Sequence, residues 1–159
     1  MSKLEVLLLL HLLGVFALLM GFGLNMFLGI SLTKATAVSE FASSTKLMGT
    51  AGKNLIRGGA VLLLVAGLAL VEPSGHEFEE LWVGASVVLW IIAIANGESI
   101  LGPHAKAIGM KASKLMADGV TESEELQAMA NSKKIMITGN IQLLLILSFL
   151  ALMVFKPGA

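Results

Sequence analysis

No cysteine occurs in the 159 residues of this chain, and only 14 % of them are charged. The first absence removes disulfides, thiolate metal sites and thiol redox chemistry. The second comes with a formal net charge of zero, which argues against a nucleic-acid partner. Also lacking are a nucleophile–base pair, a phosphate-binding glycine loop and paired carboxylates inside the apolar segments. What fills the chain is apolar: 56 % of the residues are hydrophobic, and the mean hydropathy of +0.86 is far outside the range of an ordinary soluble domain.

The longest uncharged run, Val6 to Thr33, holds 28 residues without Asp, Glu, Lys or Arg and contains a single histidine, His11. About 20 apolar residues cross the hydrocarbon core of a bilayer, so this run is a spanning helix. Three further runs follow, and the spans are predicted at about 6–33, 54–71, 81–102 and 135–155 of a single membrane domain, 1–159. The runs are continuous where barrel strands would alternate, which selects helices. The predicted fold is all-α: a polytopic membrane protein, a four-transmembrane-helix bundle with cytoplasmic helical extensions. Lys3 and the Leu-rich stretch after it resemble the start of a signal peptide. The apolar run is nearly twice the about 7–15 residues of such a core, and it is expected to be retained.

Basic residues set the orientation. The connection between spans 1 and 2 carries Lys34, Lys46, Lys53 and Arg57, and that between spans 3 and 4 carries Lys106, Lys111, Lys114, Lys133 and Lys134. The opposite side has Lys3 and Lys156, and the short connection there is acidic, with Glu72, Glu77, Glu79 and Glu80. Cationic connections stay cytoplasmic, so both termini are expected outside a bacterial inner (plasma) membrane, N-out and C-out.

The first basic connection has few breakers before Gly49, and span 1 is expected to continue through it as a helix. In the second, Pro103 suits a helix start. Its Ile108, Met110, Leu115 and Met116 are expected along the lipid headgroups, with its lysines meeting anionic lipid. Gly119 should end that helix. Thr121 and Glu124 have capping-box spacing for the next one, which is expected to run directly into span 4. Leu28-Gly29 with Lys34 and Lys46-Leu47-Met48 echoes Leu101-Gly102 with Lys106 and Lys114-Leu115-Met116. Chance similarity and a parallel duplication both account for that.

On span 1, His11, Gly14, Leu18, Gly21 and Asn25 recur at three and four residues and share one helix face. Glycines there let a neighbouring helix approach, so His11 points into the bundle. Three roles are open to it. It is a neutral imidazole bridging helices, with Ser148 as partner; an axial ligand to haem b or a chlorophyll-type pigment; or a proton-relay or copper site. Bis-histidine ligation would need a partner chain, because the spans hold no second histidine. No methionine three or four residues from His11 supports copper.

A second polar group gathers towards the basic side: Asn25, Arg57, Asn96, Glu98, Asn140 and Gln142, drawn from all four spans. Arg57 and Glu98 are at similar depth and opposite in charge, which predicts an ion pair. The cluster reads either as interhelical hydrogen bonding or as the lining of a hydrated vestibule or anion site. His104 and His76 read as solvated, with a weak divalent-ion role for His76 beside Glu77, Glu79 and Glu80 as the alternative. Trp82 reads as an interfacial anchor, Trp90 lies deeper, and the nine methionines read as packing.

Leu10-His11-Leu12-Leu13-Gly14, Leu101-Gly102-Pro103 and Leu152-Met153-Val154-Phe155-Lys156-Pro157 resemble a family of predicted bacterial integral membrane proteins of unknown function. That family is distantly similar to copper-resistance protein D and to the membrane protoporphyrinogen oxidase of haem synthesis. The resemblance implies a four-span layout over the whole chain, with His11 matching the first-helix histidine of those oxidases. They also use a lysine on the second helix, where span 2 here offers only Arg57 at its basic end. Fold likeness alone does not carry the activity across.

The leading reading is a non-catalytic accessory or structural subunit, embedded in the lipid bilayer and held to other membrane subunits or to itself by glycine-rich faces. The alternative is a haem-b- or pigment-holding redox protein using His11. A small oligomeric transporter working through Arg57 and Glu98 is the third.

Overall fold

The structure, a computed structural model, describes residues 2–158. Among them the regular elements are helices: α1 (Lys3–Leu32), α2 (Val38–Ala51), α3 (Gly58–Leu70), α4 (Leu81–Asn96), α5 (Gly102–Ala117), α6 (Glu124–Ala130) and α7 (Lys133–Phe155). Two π-helical stretches, Gly52–Arg57 and Gly97–Leu101, join α2 to α3 and α4 to α5 without a break. Four helical stretches are therefore long and apolar enough to cross a membrane: Lys3–Leu32, Val38–Leu70, Leu81–Ala117 and Glu124–Phe155. The protein is an all-helical, four-span membrane bundle.

The π-helical stretches have local causes. Pro103 has no N–H, so an α-helix running through it would strand one carbonyl. The stretch before it widens the helix, and the Gly102 N–H reaches back to the Gly97 carbonyl, one residue further than an α-helical bond. Gly52 and Gly97 begin the two stretches, where a missing Cβ makes distortion inexpensive.

Two expectations about the basic connections are corrected. Span 1 does not continue through Lys34–Lys53. It stops at Leu32, where the Thr33 hydroxyl donates back to the Ile30 carbonyl at 2.7 Å. The connection belongs instead to the second span, whose first turn is pinned by the Val38 N–H donating to the Thr121 carbonyl at 2.8 Å. The second connection does not turn its Ile108 outward either. It prolongs span 3 as α5 and packs on α2, burying Ile108 and Ala112 against Val38, Phe41 and Leu126. Met110 and Met116 alone of the four named apolar residues stay exposed. Burying that stripe within the protein removes apolar area that the headgroup position would leave partly wet.

This cap of α2, α5 and α6 is the best-sealed part of the molecule, with Val38, Phe41 and Leu126 fully buried. A Cβ on Gly109 would stand 2.7 Å from the Thr45 hydroxyl, so α2 and α5 meet almost at backbone distance. Lys111 pairs with Glu125 across α5 and α6. Gly119 ends α5 as expected, with φ +74. The next helix is capped not by Thr121 but by Ser123, whose hydroxyl accepts from the Leu126 N–H at 3.3 Å. A break at Asn131–Ser132 then separates α6 from α7.

Within the spans, α1 packs extensively on α3, and α4 on α7. A second buried cluster, Val71, Trp82 and Val83 with Met153 beside it, closes the acidic end. Between the two helix pairs runs a cleft of about 1470 Å³, lined from Trp82 and Lys156 at the acidic end, past His11, to Arg57, Glu98 and Lys106 at the basic end.

Candidate functional site

One wall of the cleft is set by the close packing of α1 on α3. Gly14 and Gly21 of α1 and Gly59 of α3 make the first pair close. A Cβ on Gly14 would fall 2.6 Å from the Leu63 nitrogen, and one on Gly59 would fall 2.7 Å from the Leu18 nitrogen. The glycine face read from the sequence thus meets α3. Small residues are what allow such backbone approach where lipid is the solvent. Few polar contacts then cross between the pairs. Trp90 of α4 donates its indole N–H to the Ala60 carbonyl of α3 at 3.2 Å.

His11 sits where the α1–α3 contact borders the cleft, and its ring is partly buried. Its Nδ1 lies 3.1 Å from the Leu63 carbonyl. A carbonyl oxygen only accepts, so Nδ1 carries the hydrogen and Nε2 is left with a lone pair. Nε2 has no hydrogen-bond partner among the described residues, and it is not among the side-chain atoms sealed inside the protein. Gly67, one turn beyond Leu63, leaves room for the ring: a Cβ there would stand 3.0 Å from Cε1 and Nδ1. The expected partnership with Ser148 is corrected. Ser148 is exposed on α7, and the Leu63 carbonyl takes its place.

At the other end of the cleft the polar residues sort into separate units. Arg57 and Glu98 form the expected pair, bidentate, with Nε donating to Oε1 at 2.7 Å and Nη2 to Oε2 at 2.5 Å. The pair bridges the two π-helical stretches. Asn96 donates instead to the Gln142 side-chain oxygen at 2.8 Å, joining α4 to α7. Asn140 is exposed on its outer turn, though it also borders the cleft. Asn25 borders it too, and its Oδ1 is sealed from solvent without a partner, alone in this among the described side-chain N and O atoms. A buried acceptor in that state is one that a bound group or water would satisfy.

The other two histidines are not the solvated residues expected. His104 lies 3.1 Å through Nε2 from the Met129 carbonyl, tying α5 to α6. His76 stands between Glu80, 3.0 Å from Nδ1, and Lys156, whose ammonium donates to Nε2 at 3.0 Å. Trp82 is buried here, with His76 edge-on to its ring and Lys156 5.3 Å from the ring centroid. Glu80 accepts from the Trp82 indole at 2.5 Å and from the Glu77 N–H at 3.0 Å. This network ties the end of α7 to the acidic loop. Among the described residues no three His, Cys, Asp or Glu side chains come together to hold a metal ion.

Residues 5–157 match the family described as predicted integral membrane protein, DUF2269. The chain belongs to this family. The description gives a location and no activity, so it agrees with the four spans and leaves the cleft to be read from its residues. No curated protein and no solved structure matches the chain.

The sequence pointed to His11, Arg57 and Glu98 but not to the groups that complete their surroundings. Leu63 contributes only a backbone oxygen, which no side-chain pattern reveals. Gly59 and Gly67 were the available signal: two glycines inside span 2, eight residues apart, on the side that receives α1.

Proposed function

We propose that this chain is a membrane-embedded cofactor-holding protein, with haem b in the cleft and His11 Nε2 as an axial ligand. The observation that carries the reading is the 3.1 Å contact of His11 Nδ1 with the Leu63 carbonyl. With the Nδ1 hydrogen held there, Nε2 keeps a free lone pair on a residue that lines the cleft, and metal-ligating imidazoles are oriented by such a partner. The largely apolar wall and the cleft's total volume of about 1470 Å³ support room for a flat macrocycle. Haem b there would supply one-electron chemistry. The likeness of His11 to the first-helix histidine of the haem-synthesis oxidases points the same way. The positive-inside pattern supports placement in a bacterial inner membrane with both termini outside and the α2–α5–α6 cap in the cytoplasm.

The test is the visible spectrum of the protein isolated in mild detergent from its native membrane, oxidised and then reduced with dithionite. A Soret band with sharpened reduced α and β bands, lost in His11→Ala, is the expected result. A colourless protein from haem-replete cells would overturn the reading.

A second reading is an accessory subunit of a larger membrane assembly or homo-oligomer. It is favoured by Gly23 on α1, which is exposed, lies outside the cleft lining and has nothing within 4 Å of where a Cβ would stand. Small residues of that kind let another membrane helix approach. Crosslinking in intact membranes tests it: companion chains or a second copy captured at the Gly23 position would support it.

A further inference from the structure

We propose that Arg57 binds a carboxylate of the cofactor, so that the cleft holds its ligand at both ends; this rests on the haem reading above. Most of the cleft wall is apolar, but at its basic end Lys53, Arg57 and Lys106 face it with Glu98 as the nearby acid. That end carries excess positive charge beside a wall that is mostly apolar. An amphiphile with anionic groups on one edge matches it, and haem b carries its two carboxylates on one edge of the ring.

Leu63, which holds His11, and Arg57 lie six residues apart on one unbroken helical stretch, roughly 9 Å of rise. Arg57 also has donors to spare. Glu98 takes Nε and Nη2, and Nη1 has no partner among the described residues. Glu98 is thus a positioning residue: it holds one edge of the guanidinium and leaves the other for a second carboxylate. A planar guanidinium suits that double use, because its five N–H donors lie in a fixed fork. The two π-helical stretches carry these side chains, and a π-helical turn re-aims the residues on it.

The experiment uses the full chain, produced under haem limitation and purified in detergent, and titrates it with haem b and with haem b dimethyl ester. The ester keeps the iron and the ring and lacks both negative charges. Wild type should bind the free acid about tenfold or more tightly than the ester, as expected for a charge-assisted contact. Arg57→Gln should erase that preference while a His11-dependent Soret band persists. Arg57→Lys, which keeps the charge and loses the fork, should retain part of it and guards against a folding defect in the first variant. Equal binding of acid and ester by wild type, or an undiminished preference in Arg57→Gln, would overturn the role of Arg57 and leave the haem reading intact. If neither compound gives a Soret band that depends on His11, both fall together.

Discussion

His11 and Leu63 are joined across the α1–α3 contact by a 3.1 Å bond from Nδ1 to a main-chain oxygen. That oxygen already accepts the helical N–H of residue 67 under the ordinary i to i−4 pattern. A second donor reaches it because residue 67 is glycine and leaves its flank bare. The bond therefore depends on two absences, a Cβ at Gly67 and a Cβ at Gly14, which together let an imidazole lie against a neighbouring helix backbone.

Replacing Gly67 by valine should push the ring off Leu63 without touching His11 itself. If the cleft holds haem as proposed, the amount retained through purification should fall by about tenfold, the usual scale for losing a ligand's supporting partner. Gly84→Val is the control, since nothing lies within 4 Å of that position. Absorbance at the Soret maximum per protein reads both. Equal retention in the two variants would contradict the orienting role given to the Leu63 carbonyl.

Close packing of α1 on α3 makes a separate prediction. Gly14→Val places atoms where the Leu63 backbone stands 2.6 Å away, and a backbone cannot yield as a flexible side chain can. The cost should be about 1–3 kcal/mol, the range for overpacking, seen as a lower unfolding midpoint in detergent. Gly23→Ala meets open space and should be neutral or stabilising by up to ~1 kcal/mol, the helix-propensity gain. A Gly14 variant as stable as wild type would mean the helices are not in contact there.

The spans were legible because hydropathy over some twenty residues is a bulk property that does not depend on neighbours. The Arg57–Glu98 pair was legible for a related reason: two isolated charges at one depth in an apolar chain have few other partners. What escaped was set by tertiary contact. The end of α1 at Leu32 carries no Pro or Gly, and the reversal is fixed by Val38 bonding to Thr121, over eighty residues away in sequence. The α5 stripe read equally well as a headgroup helix, and only the presence of α2 decides that Ile108 goes inside. His76 looked solvated because its second partner, Lys156, comes from the far end of the chain.

Asn96 and Gln142 meet across α4 and α7, where interhelical hydrogen bonds average roughly 0.6 kcal/mol. Unfolding of the single and double alanine variants in mixed micelles gives the coupling energy, which should be of that order. No measurable coupling would mean that the two side chains do not meet across the helices.

Glu80 gives the bundle a dependence on acid. The Glu77 N–H first, then the Trp82 indole and His76, hold its carboxyl below the usual carboxylate range, against a smaller opposing effect of partial burial. A folded-state pKa below the unfolded one means that the unfolded chain binds more protons in the interval between them. The stabilisation is thus complete above the ordinary glutamate value of about 4.3 and is lost as pH falls through the depressed folded value. Glu80→Gln should lower the unfolding midpoint by a constant margin at neutral pH, and the margin should shrink on acidification below about pH 4. Because Glu80 also positions His76 beneath Lys156, the same variant should loosen the end of α7, seen as faster amide exchange around Met153. A margin that grows towards low pH would reverse the sign and remove the Glu77 and Trp82 donors from the account.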